Sequence, residues 1–117
     1  MKNRNSSALT ALTLLAALLA SQPVFADADF DADGAKKLAK DNDCFKCHAI
    51  DKTKKGPSLK KIAAKYREKK LDETEMIKHM TSGKKVKLED GSEEDHKIID
   101  TKDVKAQANL ARWILSH

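Results

Sequence analysis

Two cysteines, Cys44 and Cys47, stand two residues apart in a chain that has no others, and a histidine, His48, follows the second directly. The segment Cys44-Phe45-Lys46-Cys47-His48 restricts the fold more than any other stretch, because the common uses of a close cysteine pair make demands that this chain meets poorly. A disulfide across two residues closes a very small loop and stabilises a fold less than a long-range bridge would. A thioredoxin-like redox pair needs a preceding strand and a parallel βαβ frame, and no strand-rich stretch precedes Cys44. A zinc site built from Cys44, Cys47, His48 and a remote histidine lacks the second ligand pair of common zinc modules.

The reading the segment meets in full is C-x-x-C-H, the signature of covalent c-type haem attachment. Two thiols add to two vinyl groups, and the spacing lets both sulfurs reach one edge of one macrocycle. The adjacent position brings the imidazole nitrogen under the iron. The expected cofactor is therefore one covalent haem c, joined at Cys44 and Cys47 and ligated by His48.

The N-terminus fits that chemistry, since thioether attachment belongs outside the cytoplasm. Lys2 and Arg4 precede a Leu/Ala-rich run from Ala8 to Ala20, and Val24-Phe25-Ala26 offers small or aliphatic residues to a signal peptidase. We expect residues 1–26 to be a cleaved signal peptide and 27–117 to be a single monohaem domain delivered to the periplasm. A permanent membrane span fits worse: the apolar run falls short of the roughly 20 residues a bilayer requires, and acidic Asp27-Ala28-Asp29 follows it.

The formal net charge is +5, of which two units lie on Lys2 and Arg4. What remains is too mild to argue for nucleic acid as a partner. One Trp, one Tyr and three Phe in 117 residues leave few large side chains for a core, and a domain this small has a high surface-to-volume ratio. A bound macrocycle would fill that deficit.

Helical periodicity recurs along the chain. Ala35, Leu38 and Ala39 mark a first helix between Asp31 and Asp41, acidic at its start and lysine-rich toward its end, as the helix dipole favours. A lysine-rich loop spans Asp51 to Gly56. Pro57 and Ser58 then open a helix with Leu59, Ile62, Ala63 and Tyr66 on one face. Asp72 or Thr74 caps a third helix bearing Met76, Ile77 and Met80, ending near Ser82-Gly83. From Lys84 to Asp100 the pattern is polar and aperiodic, with an Asp90-Gly91 turn signal, and reads as a loop. Thr101 or Asp100 is expected to cap a final helix with Val104, Ala108, Ala111 and Leu115 on one face.

With these segments in order, the sequence resembles the class I c-type cytochromes, specifically their short bacterial members. The resemblance rests on Cys44-Phe45-Lys46-Cys47-His48 with Ala49-Ile50-Asp51, on Gly56-Pro57-Ser58-Leu59, on the helix around Tyr66, and on Leu110-Ala111-Arg112-Trp113-Ile114-Leu115-Ser116. It implies an all-α fold of about four short helices wrapped around one covalent haem, with a long distal loop. It also implies that the carbonyl of Pro57 accepts from the second ring nitrogen of His48, fixing its tautomer and orientation. Tyr66 and Trp113 read as packing in the core or at the haem edge.

Family members usually take a methionine from the distal loop as the sixth iron ligand, and this loop has none. His96 lies five residues before Thr101 and 17 before Trp113, about where that methionine stands. We therefore expect bis-histidine iron, His48 proximal and His96 distal. Met80 is the main rival, with Met76 behind it, and an open or exogenously ligated site is the third option. His79 reads as an outward helical position and His117 as a chain end.

The function implied is one-electron transfer between redox partner proteins, with no substrate turnover. Lys46, Lys52, Lys54, Lys55, Lys60 and Lys61 cluster around the attachment segment. They are either solubilising charge or a docking ring for an acidic partner. A haem-based ligand sensor and the electron-entry subunit of a periplasmic oxidoreductase are the alternatives.

Overall fold

The computed structural model describes residues 29–117, so the expected leader lies outside the described residues. Five helices and one two-stranded sheet make up the described region, against the four helices expected. Helix α1, Ala32–Asp41, starts where the Asp31 carboxylate accepts from the Gly34 N–H, and it buries Ala35 and Ala39. The chain then turns through Asp43, whose φ of 57° is a left-handed conformation that Asp tolerates better than most residues. That turn lets a single helical turn, α2, Cys44–Cys47, begin at once. It is the extra helix, too short for any periodicity to reveal it.

Helix α3, Leu59–Glu68, is capped by Ser58, which accepts from the Lys61 N–H. Helix α4, Glu73–Ser82, is capped by Asp72 at its start and by left-handed Gly83, φ 63°, at its end. Helix α5, Val104–Leu115, packs against α1, α3 and α4. Its cap is Asp103, which accepts from the Lys105 and Ala106 N–H groups, and not Thr101 or Asp100 as expected. Those two are used otherwise. The Asp100 N–H donates to buried Asn42 at 2.6 Å, and Thr101 accepts from the Asp103 N–H and the Gln107 side chain.

The stretch expected to be a plain loop contains a hairpin, β1 Lys85–Lys87 and β2 Glu93–Asp95, paired antiparallel with Lys85 opposite Asp95 and Lys87 opposite Glu93. Its charged strands lack the apolar alternation that announces a sheet, but opposite charges face each other across the ladder. The Asp90-Gly91 signal does mark its turn: Gly91 has φ 86°, and Asp90 accepts from both the Ser92 N–H and hydroxyl.

The core consists of Ala35, Ala39, Leu59, Met76, Met80, Ile99, Leu110, Ala111, Trp113 and Ile114. Three are alanines, and Leu110 is the one large side chain among them that is fully shielded. Trp113 meets Phe45 of α2 edge to face, ring centres 6.3 Å apart, tying the last helix to the attachment segment. Phe45 and Tyr66 pack at the core's margin.

Candidate functional site

Between α2, the inner faces of α3 and α4, the hairpin and Trp113 lies a cavity of about 950 Å³. That is within the range of cofactor sites, about 300–1,000 Å³. Leu59, Ile62, Tyr66, Met76, Met80, Val86, Leu88 and Ile99 make its surface largely apolar. Cys44, Cys47, His48 and His96 also line it, so the expected ligands and attachment points meet in one place.

Cys44 and Cys47 are half-buried free thiols on successive corners of one helical turn. Burial pushes the Cys44 thiol above its usual range. A catalytic redox cysteine has the opposite shift, toward the thiolate.

His48 is held from behind. Its Nδ1–H donates to the Pro57 carbonyl at 2.7 Å. A carbonyl can only accept, so Nδ1 carries a proton, and the tautomer this bond selects is the one whose lone pair is on Nε2. Gly56 makes the approach possible: a Cβ there would stand 2.8 Å from His48 Cε1 and 3.1 Å from its Nδ1. The Gly56 N–H donates to the Cys47 carbonyl at 2.9 Å, which fixes the Gly56-Pro57 segment against the attachment turn.

His96 follows β2 directly, and its backbone N–H donates to the Lys84 carbonyl at 2.8 Å, extending the hairpin by one bond. Its Nδ1–H donates to the Lys97 carbonyl at 2.9 Å, which again leaves Nε2 with the lone pair. The His48 and His96 ring centres are 6.3 Å apart, with planes at 42°. Burial holds His96 below the usual imidazole range, against the pull of the Lys97 carbonyl, and His48 adds to the depression. The neutral imidazole is the metal-ligating form.

One expectation about a histidine is corrected. His79 is not an outward position: it lines the cavity, half-buried, with its ring centre 4.4 Å from that of His96. Burial, then the neighbouring His96 and His48, lowers its pKa. The available signal was its place three residues after inward Met76 on one helix, a spacing that shares a face. His117 is also engaged, edge-on to Trp113 with ring centres 5.0 Å apart. Met76 and Met80 line the cavity from α4 and are buried, so both can pack against whatever fills it.

The six lysines differ in their surroundings. Lys46 pairs with Asp43 at 3.1 Å and Lys60 with Asp51 at 2.5 Å. Lys61 donates to Thr53, and Lys54 to the Phe45 carbonyl. Lys52 and Lys55 are exposed and have no ion pair among the described residues.

The donor set therefore fits a covalent haem: two unpaired thiols on one turn, an apolar cavity, and two imidazoles whose Nδ1 atoms are each taken up by a backbone carbonyl. A family model for cytochrome c matches residues 32–117. Comparison with the curated proteins finds no significant match. Among solved structures, the class 1 cytochrome MtoD from Sideroxydans lithotrophicus ES-1 is 55% identical. The match covers 74% of this chain and 96% of that one, with a TM-score of 0.70. Wild-type cytochrome c552 of Nitrosomonas europaea is 33% identical over 69% of this chain and 96% of its own, with a TM-score of 0.53. Its N64Del mutant gives 0.56 at the same identity and coverage. The mostly helical fold, the single Cys44/Cys47 pair and these relatives agree: the chain belongs to the cytochrome c family, a class I electron carrier with one covalent haem c.

Proposed function

We propose that the protein is a periplasmic one-electron carrier, exported by residues 1–26, with haem c joined at Cys44 and Cys47 and ligated by His48 and His96. When bound, the haem supplies a one-electron ferrous/ferric couple. The chain's part is to hold both ligands through the change of charge, so that little reorganises. Pro57 orients His48 and raises its donor strength. The chain that follows the hairpin brings His96 into the same cavity as His48, where it would serve as the second ligand.

The observation that carries this reading is the His48–His96 ring spacing of 6.3 Å, with each Nδ1–H committed to a backbone carbonyl. Both rings line the same apolar cavity, and each keeps its Nδ1 occupied by the backbone, so Nε2 of each would be the atom available to hold the iron. A second imidazole donates more strongly than a thioether and stabilises the ferric ion, so the reduction potential should lie below that of a His/Met carrier.

Ferric and ferrous spectra of wild type, His96→Ala and Met80→Ala test the assignment. A wild-type low-spin spectrum that is indifferent to carbon monoxide and lost in His96→Ala alone supports it. A sulfur-to-iron charge-transfer band in the wild type, lost in Met80→Ala, would transfer the ligand role to Met80. Rapid carbon monoxide binding by the wild type would favour a sensor over a carrier.

A further inference from the structure

His79 and His96 meet ring to ring, with centres 4.4 Å apart and planes tilted by 50°, yet they belong to parts of the fold with different anchoring. His79 lies on α4, which is capped at both ends and held by buried Met76 and Met80 on either side of it. The same helix is tied to α5 by the two-pronged Arg112–Glu73 pair at 2.6 and 3.1 Å. His96 lies on irregular chain after β2, between exposed Asp95 and Lys97. Its ring hydrogen bond goes to the carbonyl of the next residue, so the bond moves with the segment that carries it.

An imidazole bound to a metal through Nε2 can still rotate about the metal–nitrogen axis, and its outer contacts decide where it stops. For His96 the Lys97 carbonyl supplies one restraint, and the contact with His79 supplies the restraint that belongs to the helical scaffold. We propose that His79 is a positioning residue for the distal ligand: its ring, packed against His96, fixes the rotation of that imidazole and slows its release. This rests on the reading of His96 as sixth ligand. With ferric haem bound, the orientation of the two ligating imidazole planes would shape the splitting of the iron orbitals. The anisotropy of the electron paramagnetic resonance signal would report that splitting.

The experiment compares matured wild-type holoprotein with His79→Ala, His79→Phe and His96→Ala. It records the ferric resonance spectrum and the rate of cyanide binding, which requires the distal ligand to leave. His79→Ala is expected to shift and broaden the resonance signal and to speed cyanide binding by up to about tenfold, the scale of one aromatic pair. His79→Phe keeps a ring in place and is expected to restore both readouts. Wild-type behaviour in His79→Ala would overturn the proposal, and so would a His79→Phe protein as altered as His79→Ala. If His96→Ala keeps the wild-type low-spin spectrum, the ligand reading itself has failed and the role of His79 falls with it. If His96→Ala loses that spectrum while His79→Ala changes nothing, the positioning role alone is refuted.

Discussion

Lys97 Nζ lies 3.0 Å from Asp43 Oδ2, joining residues 54 positions apart: the neighbour of His96 to the neighbour of Cys44. Asp43 also pairs with Lys46, so one carboxylate links the distal segment to the attachment turn. Hydrogen bonds from Lys97 and then Lys46 hold its pKa below the usual aspartate range. A depressed carboxylate contributes stability that is present above its unfolded pKa and lost as pH falls through the folded one. Asp43→Asn, which tolerates the left-handed backbone, should therefore lower the Tm at neutral pH, and the difference should vanish in acid. The pair is solvent-exposed, so the effect should be small and should shrink with salt. A Tm difference independent of pH would mean the charge is not its source.

Gly56→Ala should disturb the site with little change elsewhere. The added methyl would stand 2.8 Å from His48 Cε1, closer than real contacts allow, so the ring or the segment must move. Overpacking of this kind costs about 1–3 kcal/mol, and here it would act on the hydrogen bond from His48 to Pro57. Thermal unfolding should show the loss, and the ferric spectrum should gain a high-spin fraction as His48 is displaced. An unchanged spectrum would show that the Gly56-Pro57 segment can yield without moving the imidazole.

The alanine-rich core predicts dependence on the cofactor. Ala35, Ala39 and Ala111 bury little apolar area, and hydrophobic stabilisation scales with the area removed from water. The doubly substituted Cys44→Ala, Cys47→Ala protein, unable to hold haem covalently, should lose most of its helical circular dichroism. Full helicity in that protein would mean that the side chains suffice.

Lys52 and Lys55 are the best candidates for a docking charge, because Lys46 and Lys60 are already paired with acids. Replacing both with Glu should slow association with an acidic redox partner and flatten the dependence of the rate on salt. Stopped-flow rates at several ionic strengths would measure it, and an unaltered slope would leave these lysines a solubilising role.

Much of this fold was legible because it is local. Ser58 opens α3 where the helix start was expected, Asp72 is the one used of the two expected caps Asp72 and Thr74, and α4 ends at Ser82-Gly83 as expected. The Pro57 carbonyl meets His48 as the family resemblance implied. The final cap is not legible in the sequence because Asp100, Thr101 and Asp103 are all suitable residues within one turn. The choice depended on Asn42, which captures the Asp100 N–H from a segment 58 residues away. The hairpin is not legible in the sequence because its strands pair through charge and backbone, with Val86 as the only apolar residue in either.

Taken alone, the amino-acid order determined the chemistry of attachment, since the spacing of Cys44, Cys47 and His48 is a local property that one helical turn converts into geometry. It also determined the helical faces, which follow from a period of 3.6 residues. Only the tertiary structure decided what stands across from His48. The His48–His96 spacing, the contact of His79 with His96 and the Lys97–Asp43 link each join segments that are distant along the chain. Such contacts exist only once α4, the hairpin and the attachment turn have closed around the same cavity, and no periodicity within a single segment encodes them.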